Sequence, residues 1–124
     1  MPSARTPRVS TLCTSSGALV CGSCAVADRP LARMRGLMGR RGLESGEGIL
    51  LRPAPSIHTF FMRFAIDVLF LDADMRVLRV VEALRPWRAR SCRGSRVVIE
   101  MPAGEAARRG VTVGERLELL GGEA

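Results

Sequence analysis

The chain contains no lysine and no tyrosine, one tryptophan, one histidine, and no apolar run approaching a membrane span. A membrane helix needs about 20 consecutive apolar residues. The N-terminus carries Arg5 and Arg8 but lacks the unbroken apolar stretch of a signal peptide. The expectation is a cytoplasmic protein without a membrane partner, whose four cysteines stay reduced. All 19 basic residues are arginine, and Arg, Ala and Gly are abundant together, as the codon bias of a GC-rich genome produces without selection for DNA. A formal charge of +7 and a pI near 11.1 therefore argue only weakly for nucleic acid. Single-strand binders also want aromatic platforms, and four Phe with one Trp are few. Nucleic acid is disfavoured as a partner, and any such binding is expected to be weak, salt-sensitive and driven by arginines spread along the chain.

What is present is an ordinary globular composition, 47% apolar and 25% charged. At 124 residues one core can bury roughly two-thirds of the surface the unfolded chain exposes, without a disulfide or zinc staple. Residues 1–11 are rich in Ser, Thr, Pro and Arg and are expected to form a flexible tail, with one domain over 12–124. Small and β-branched residues from Ala18 to Ala27 predict a strand. Asp28 then offers an N-cap and Pro30 a first turn for a short helix to Met38, its stripe made by Leu31, Met34, Leu37 and Met38. Gly48–Leu51 predicts a brief strand, and Ile57–Phe64 and Ile66–Leu71 predict consecutive extended segments. Asp72 to Met75 predict a turn pairing Ile66–Leu71 with Arg76–Glu82 as a hairpin. An Arg-rich loop is expected over Leu84–Ser95, then a strand at Arg96–Met101, a second short helix at Ala103–Arg109 capped by Gly110, and a closing strand at Arg116–Leu120. The fold class is mainly β (α+β): a compact antiparallel β-barrel or sandwich with a short N-terminal helix and a second short helix near the C-terminus.

Several segments occur together and in order: Arg35-Gly36-Leu37-Met38-Gly39-Arg40, Gly48-Ile49-Leu50-Leu51, His58 through Asp67, Phe70 through Asp74, and Met101-Pro102-Ala103-Gly104 followed by Gly110 through Gly114. From about Val26 to the end they resemble the DUF192 family, a conserved domain without an established activity. The resemblance implies a compact β-barrel or sandwich with a short N-terminal helix. It would carry the family's characteristic positions to Gly36, Leu37, Met62, Arg63, Asp67 and Pro102 to Gly104, as ligand contacts or as framework. Ala65 stands where the family usually has Pro, and Met75 where its hairpin usually has Gly.

Cys21 and Cys24 form a C-x-x-C, but zinc needs a second ligand pair and only Cys13, Cys92 and His58 remain. In a regular strand, residues three apart also point to opposite faces. No metal or cofactor is expected, and the thiols read as small buried hydrophobes. Alternation would put His58 on one face with Phe60, Met62 and Phe64, and Ile57, Thr59, Phe61 and Arg63 on the other. Arg63 and Asp67 interrupt apolar segments and must be satisfied, by each other, by Glu100 or Arg33, or by a ligand.

The leading functional expectation is a non-catalytic accessory module that binds a small ligand or a protein. Its candidate residues are His58, Thr59, Met62, Arg63, Asp67, Ala103 and Gly104, lining one concavity with the Pro102–Gly104 turn, where free helical N–H groups could receive an anion or a carbonyl. No residue is assigned as catalytic. The alternative is a small hydrolase-like enzyme using His58 and Asp67, although Ser56 is the only nearby nucleophile and no triad spacing or nucleophile elbow accompanies it.

Overall fold

The computed structural model describes residues 8–28, 37 and 39–121. Among these, nine strands and one helical turn follow in the order β1 (Arg8–Thr14), β2 (Leu19–Ala27), β3 (Glu47–Leu51), β4 (Ser56–His58), β5 (Ile66–Leu71), β6 (Val77–Leu84), β7 (Ala89–Ser91), β8 (Val97–Pro102), α1 (Glu105–Arg108) and β9 (Leu117–Leu120). Seven strands form one sheet, β6-β5-β8-β3-β2-β1-β9, and β4 pairs with β7 in a separate two-stranded ribbon. The mainly β reading holds, with corrections.

The sheet is not closed into a barrel. Its edge strands approach at one isolated bridge, Arg76 to Arg116, short of the continuous ladder that closure demands. Nor is it wholly antiparallel: β2 and β3 run parallel, Ser23 to Ala27 against Glu47 to Leu51. A parallel pair needs a long crossover rather than a hairpin, and residues 28–46 provide it. The helix expected at Pro30–Met38 falls in this connection and lies outside the described residues, apart from buried Leu37.

Both faces of the sheet are covered, which is why β5 is buried at all six positions. One face holds Leu12, Val20, Leu50, Leu69, Ile99, Met101, Leu117 and neighbours. The other holds Ile49, Leu51, Ile66, Val68, Phe70 and Val98, covered by Leu37, Ala54, Ile57, Met62 and Leu84. Ile57 and Met62 thereby fasten the β4–β7 ribbon to the sheet. No described helix is long and apolar enough to cross a membrane.

The expected hairpin forms: β5 pairs with β6 from Ile66/Leu84 to Leu71/Val77. Asp72 Oδ1 accepts the Asp74 and Arg76 N–H groups at 2.9 and 3.0 Å, and Met75 takes a left-handed φ of 66°. That conformation suits glycine, the residue usual here in the family it resembles.

Other boundaries move. β1 begins at Arg8, inside the stretch read as tail, because it pairs with β2 on one side and β9 on the other. The chain is not extended over Ile57–Phe64: β4 ends at His58, and Phe61 turns with a φ of 66°. β7 lies within the segment read wholly as loop, and the second helix is a single turn.

The two cysteines do not point to opposite faces. Ser10 pairs with Cys24 and Leu12 with Cys21, so Thr11 alone of β1 faces both Gly22 and Ser23 of β2. This β-bulge leaves Gly22 and Ser23 both exposed and turns both thiols into one core, 1% and 0% exposed. There they hydrogen-bond to each other, which holds Cys21 below its ordinary pKa and pushes Cys24 up. Cys21 Sγ also donates to the Gly46 carbonyl at 3.3 Å.

Candidate functional site

Residues expected to share one site divide between framework and surface. Asp67 is fully buried in β5. Its Oδ2 accepts the N–H groups of Gly104 and Ala106 at 3.0 and 2.9 Å, and its Oδ1 accepts that of Ala83 at 2.9 Å, where a bulge in β6 gives Ala83 a φ of 51°. Two of the donors at the start of α1, expected to await a ligand, are occupied by Asp67. The pairing of Asp67 with Arg63 does not form. Nor does either find Glu100, which faces Ile49 and Val68 across the sheet; Arg33 lies outside the described residues. Arg63 is exposed and makes no ion pair among the described residues. Ala103 and Gly104 are exposed at a left-handed turn, Gly104 φ 90°.

Thr59 is also wholly buried, as the fastener of two loops. Its hydroxyl donates to the Arg85 carbonyl at 2.6 Å and accepts the Arg88 N–H at 2.9 Å. Its backbone N–H reaches the Arg88 carbonyl at 2.8 Å, and its own carbonyl accepts the Met62 and Trp87 N–H groups at 3.2 and 3.0 Å. With Met62 buried beneath, the loop after β4 and the loop before β7 form one unit.

That unit displays what sequence reading passed over. Phe60, Phe61 and Trp87 are 38%, 63% and 56% exposed. The His58 ring stacks on Phe60 with centroids 4.7 Å apart, Phe60 on Trp87 at 5.6 Å, and Phe61 tilts against Trp87 at 4.7 Å. Phe61 and Trp87 both hold a left-handed φ, 66° and 64°, a strained conformation for bulky residues. Beside them runs an open groove of about 390 Å³ lined by Ser56, Ile57, His58, Phe60, Ala89, Arg90 and Ser91. Strand alternation hid this cluster, since it assigned Phe60 and Phe61 to opposite faces.

His58 Nδ1 accepts the Phe60 N–H at 3.2 Å, so Nε2 is its outward nitrogen. His58 shares no hydrogen bond with Asp67, whose two oxygens are taken up by backbone donors. Among the described residues no group of three or more His, Cys, Asp or Glu could hold a metal ion.

A second buried carboxylate, Glu105 of α1, accepts the Gly46 N–H at 2.8 Å, the Ser45 hydroxyl at 3.0 Å, and the guanidinium groups of Arg108 and Arg109. Burial raises its pKa, but those donors outweigh burial and hold it at about 2. It ties α1 to the turn before β3 and presents no free oxygen to a ligand.

With this geometry in place, the relationships of the chain can be stated. A sequence profile of DUF192, described as uncharacterized ACR, matches residues 11–119. The chain belongs to the DUF192 family. A UPF0127 protein of Thermococcus sibiricus is 32% identical over 109 residues, covering 84% of this chain and 70% of its own. One from Pyrococcus horikoshii is 39% identical over 87 residues, covering 67% and 75%. Two crystal structures share the fold. A protein of unknown function from Novosphingobium aromaticivorans has a TM-score of 0.77 at 25% identity, covering 89% of this chain and 83% of that one. A Sinorhizobium meliloti protein provisionally described as a transcription regulator has a TM-score of 0.79 at 27% identity, covering 92% and 94%. For this DUF192 chain the family fixes the fold and leaves the activity open.

Proposed function

We propose that this DUF192 chain is a non-catalytic binding module whose recognition surface is the β4–β7 ribbon with its two loops, centred on His58, Phe60, Phe61 and Trp87 and flanked by Arg63. One observation carries the reading: three of the five Phe and Trp residues stand exposed in one contiguous cluster. Contiguous exposed apolar surface in a soluble domain marks a binding site more often than scattered exposure does. Beneath it, Thr59 and Met62 are buried supports, and Asp67, Ala103 and Gly104 belong to the framework rather than the contact surface. A binding role also accords with the provisional description of the Sinorhizobium meliloti relative as a regulator. Hydrolysis lacks support at His58, whose ring is engaged with Phe60 and, among the described residues, bonds to no carboxylate that would orient it.

A thermal-shift screen against a broad ligand library, repeated on Phe61→Gly and Trp87→Gly, tests this. A ligand of the native state raises apparent stability, and the shift should disappear in both variants. A ligand whose shift survives both substitutions would place the binding surface elsewhere.

A further inference from the structure

The charge of the chain has an address. Residues 56–65 and 85–96, which build the ribbon and its loops, contain six of the 19 arginines, Arg63, Arg85, Arg88, Arg90, Arg93 and Arg96, and none of the 12 acidic residues. The other thirteen arginines nearly cancel those twelve acids. These 22 residues therefore carry +6 of the formal net charge of +7. Codon bias supplies arginine everywhere. It does not exclude acids from one surface, and it does not place that surface around the exposed aromatics. Arg63, Arg85, Arg88, Arg93 and Arg96 are exposed and Arg90 lines the groove. Arg79 of β6 also reaches the ribbon, donating to the Ser91 carbonyl at 3.0 Å. The nearest acids in sequence are Asp67, buried in the framework, and Glu82, exposed on β6.

We infer that this surface binds single-stranded nucleic acid, the arginines engaging phosphates and the Phe61 and Trp87 rings contacting unpaired bases. The inference rests on the binding-module reading above and assigns its ligand. Arginine pairs with phosphate oxygens through its planar fork and also stacks on rings. Exposed aromatics beside a basic groove are the combination that single-strand binders use, and they tolerate any base because every base has a π-face. A double helix, whose bases are already stacked, offers the rings nothing. An acidic protein would satisfy the arginines but supplies few planar rings. The sequence reading disfavoured nucleic acid on few aromatics and dispersed arginines; the fold gathers three of those aromatics beside six of the arginines in one place.

Trp87 is the only tryptophan and there is no tyrosine, so intrinsic fluorescence reports directly on the surface. The full chain is titrated with a fluorescein-labelled 12-nucleotide oligouridylate at 50 mM salt, following anisotropy and, with unlabelled strand, Trp87 quenching. Saturable binding with quenching is expected. If about four phosphates are engaged, raising the salt to 200 mM should weaken it roughly fifty-fold. Trp87→Gly and Phe61→Gly should each cost roughly ten-fold or more in affinity, and Arg85→Ala with Arg88→Ala should lower both affinity and salt dependence. Polyglutamate of matched charge and the corresponding duplex serve as competitors and should displace the strand poorly. Equal competition by polyglutamate, or affinity indifferent to Trp87→Gly, would overturn the assignment and leave charge alone, as for an acidic protein partner. Absence of binding at 50 mM salt would overturn it too. The binding-module reading would survive either result if another ligand in the thermal-shift screen depends on Phe61 and Trp87, and would fall if its ligands do not. Circular dichroism melts of each variant confirm that it is folded when tested.

Discussion

Glu100 offers the sharpest test of the energetics. It lies in β8, 3% exposed, between Ile49 of β3 and Val68 of β5. Burial alone pushes its carboxyl from an ordinary value of 4.5 to about 8, with no hydrogen bond or charge pulling it back. A carboxyl raised in the folded state keeps its proton where the unfolded chain has already released it. Below pH 4.5 both states are protonated and nothing is lost. Between pH 4.5 and 8 the unfolded state alone gains by ionising, so stability falls as pH rises. Each tenfold difference in proton affinity between the two states is worth about 1.4 kcal/mol, so the loss should be about 1 kcal/mol at pH 5, about 3 kcal/mol at pH 7 and about 5 kcal/mol once pH exceeds 8. Glu100→Gln preserves the shape and cannot ionise. Denaturant melts of the two proteins from pH 5 to pH 9 should nearly coincide at the acid end and diverge with the glutamine variant more stable. Parallel curves across that range would refute the reasoning. Glu105 does not confuse the comparison: its carboxyl is held at about 2, so its contribution is present above pH 4.5 and is lost only as pH falls towards 2.

Three further outcomes follow from named contacts. Asp67→Ala should cost about 3–5 kcal/mol by leaving the buried Ala106 N–H and the part-buried Ala83 and Gly104 N–H groups without their acceptor, whereas His58→Ala should change the denaturation midpoint little; equal effects would contradict the division between framework and surface. Gly48→Ala should cost about 2 kcal/mol or more, because a Cβ there would lie 2.9 Å from the Glu100 carbonyl oxygen and 3.0 Å from Cys21 Sγ; a melt like that of the wild type would show that β8 can yield. Cys21→Ala and Cys24→Ala should each fold cooperatively, losing about 1–2 kcal/mol of packing, and failure of either to fold, or zinc bound in stoichiometric amount, would show that the pair does more than fill the core.

Where side-chain pattern and backbone conformation agreed, the sequence could be read. The β5–β6 hairpin followed from two apolar runs around an Asp-rich turn, and β2, β3, β8 and β9 from runs bounded by Gly and Pro. Reading failed where one residue changed the phase. The extra residue at Gly22 and Ser23 reversed the face of Cys21, and the left-handed turn at Phe61 broke the alternation after Phe60, turning Phe61 outward and Met62 inward. Neither position carries an unambiguous local mark, since Gly22 is the sort of residue a strand also tolerates and Phe61 is a strand former. β1 was hidden for a different reason. Its first residues are polar, and it exists through pairing with β2 and with β9, more than a hundred residues away in sequence.

The candidate site was half legible. Thr59, Arg63 and Asp67 were singled out as polar residues in an apolar stretch and Met62 through the family resemblance, and three of the four prove to be buried supports. Such residues attract notice because a buried polar group must be satisfied, yet satisfaction by backbone donors is what removes them from the surface. Of the exposed residues proposed for recognition, Phe60 and Phe61 look like strand residues in the sequence and Trp87 was placed in an Arg-rich loop, so nothing in the sequence joined the three. Their exposure depends on Thr59, whose hydroxyl and backbone lock together two loops 26 or more residues apart. Removing that lock should release the rings without altering any of them. Thr59→Val, close in shape but unable to donate to the Arg85 carbonyl or accept from Arg88, should cost about 1–3 kcal/mol and loosen Trp87. The measurable consequence is lower steady-state anisotropy of Trp87 at temperatures where far-ultraviolet circular dichroism is still native. Unchanged anisotropy with intact secondary structure would mean that the aromatic cluster holds itself together by its own stacking and owes nothing to the threonine beneath it.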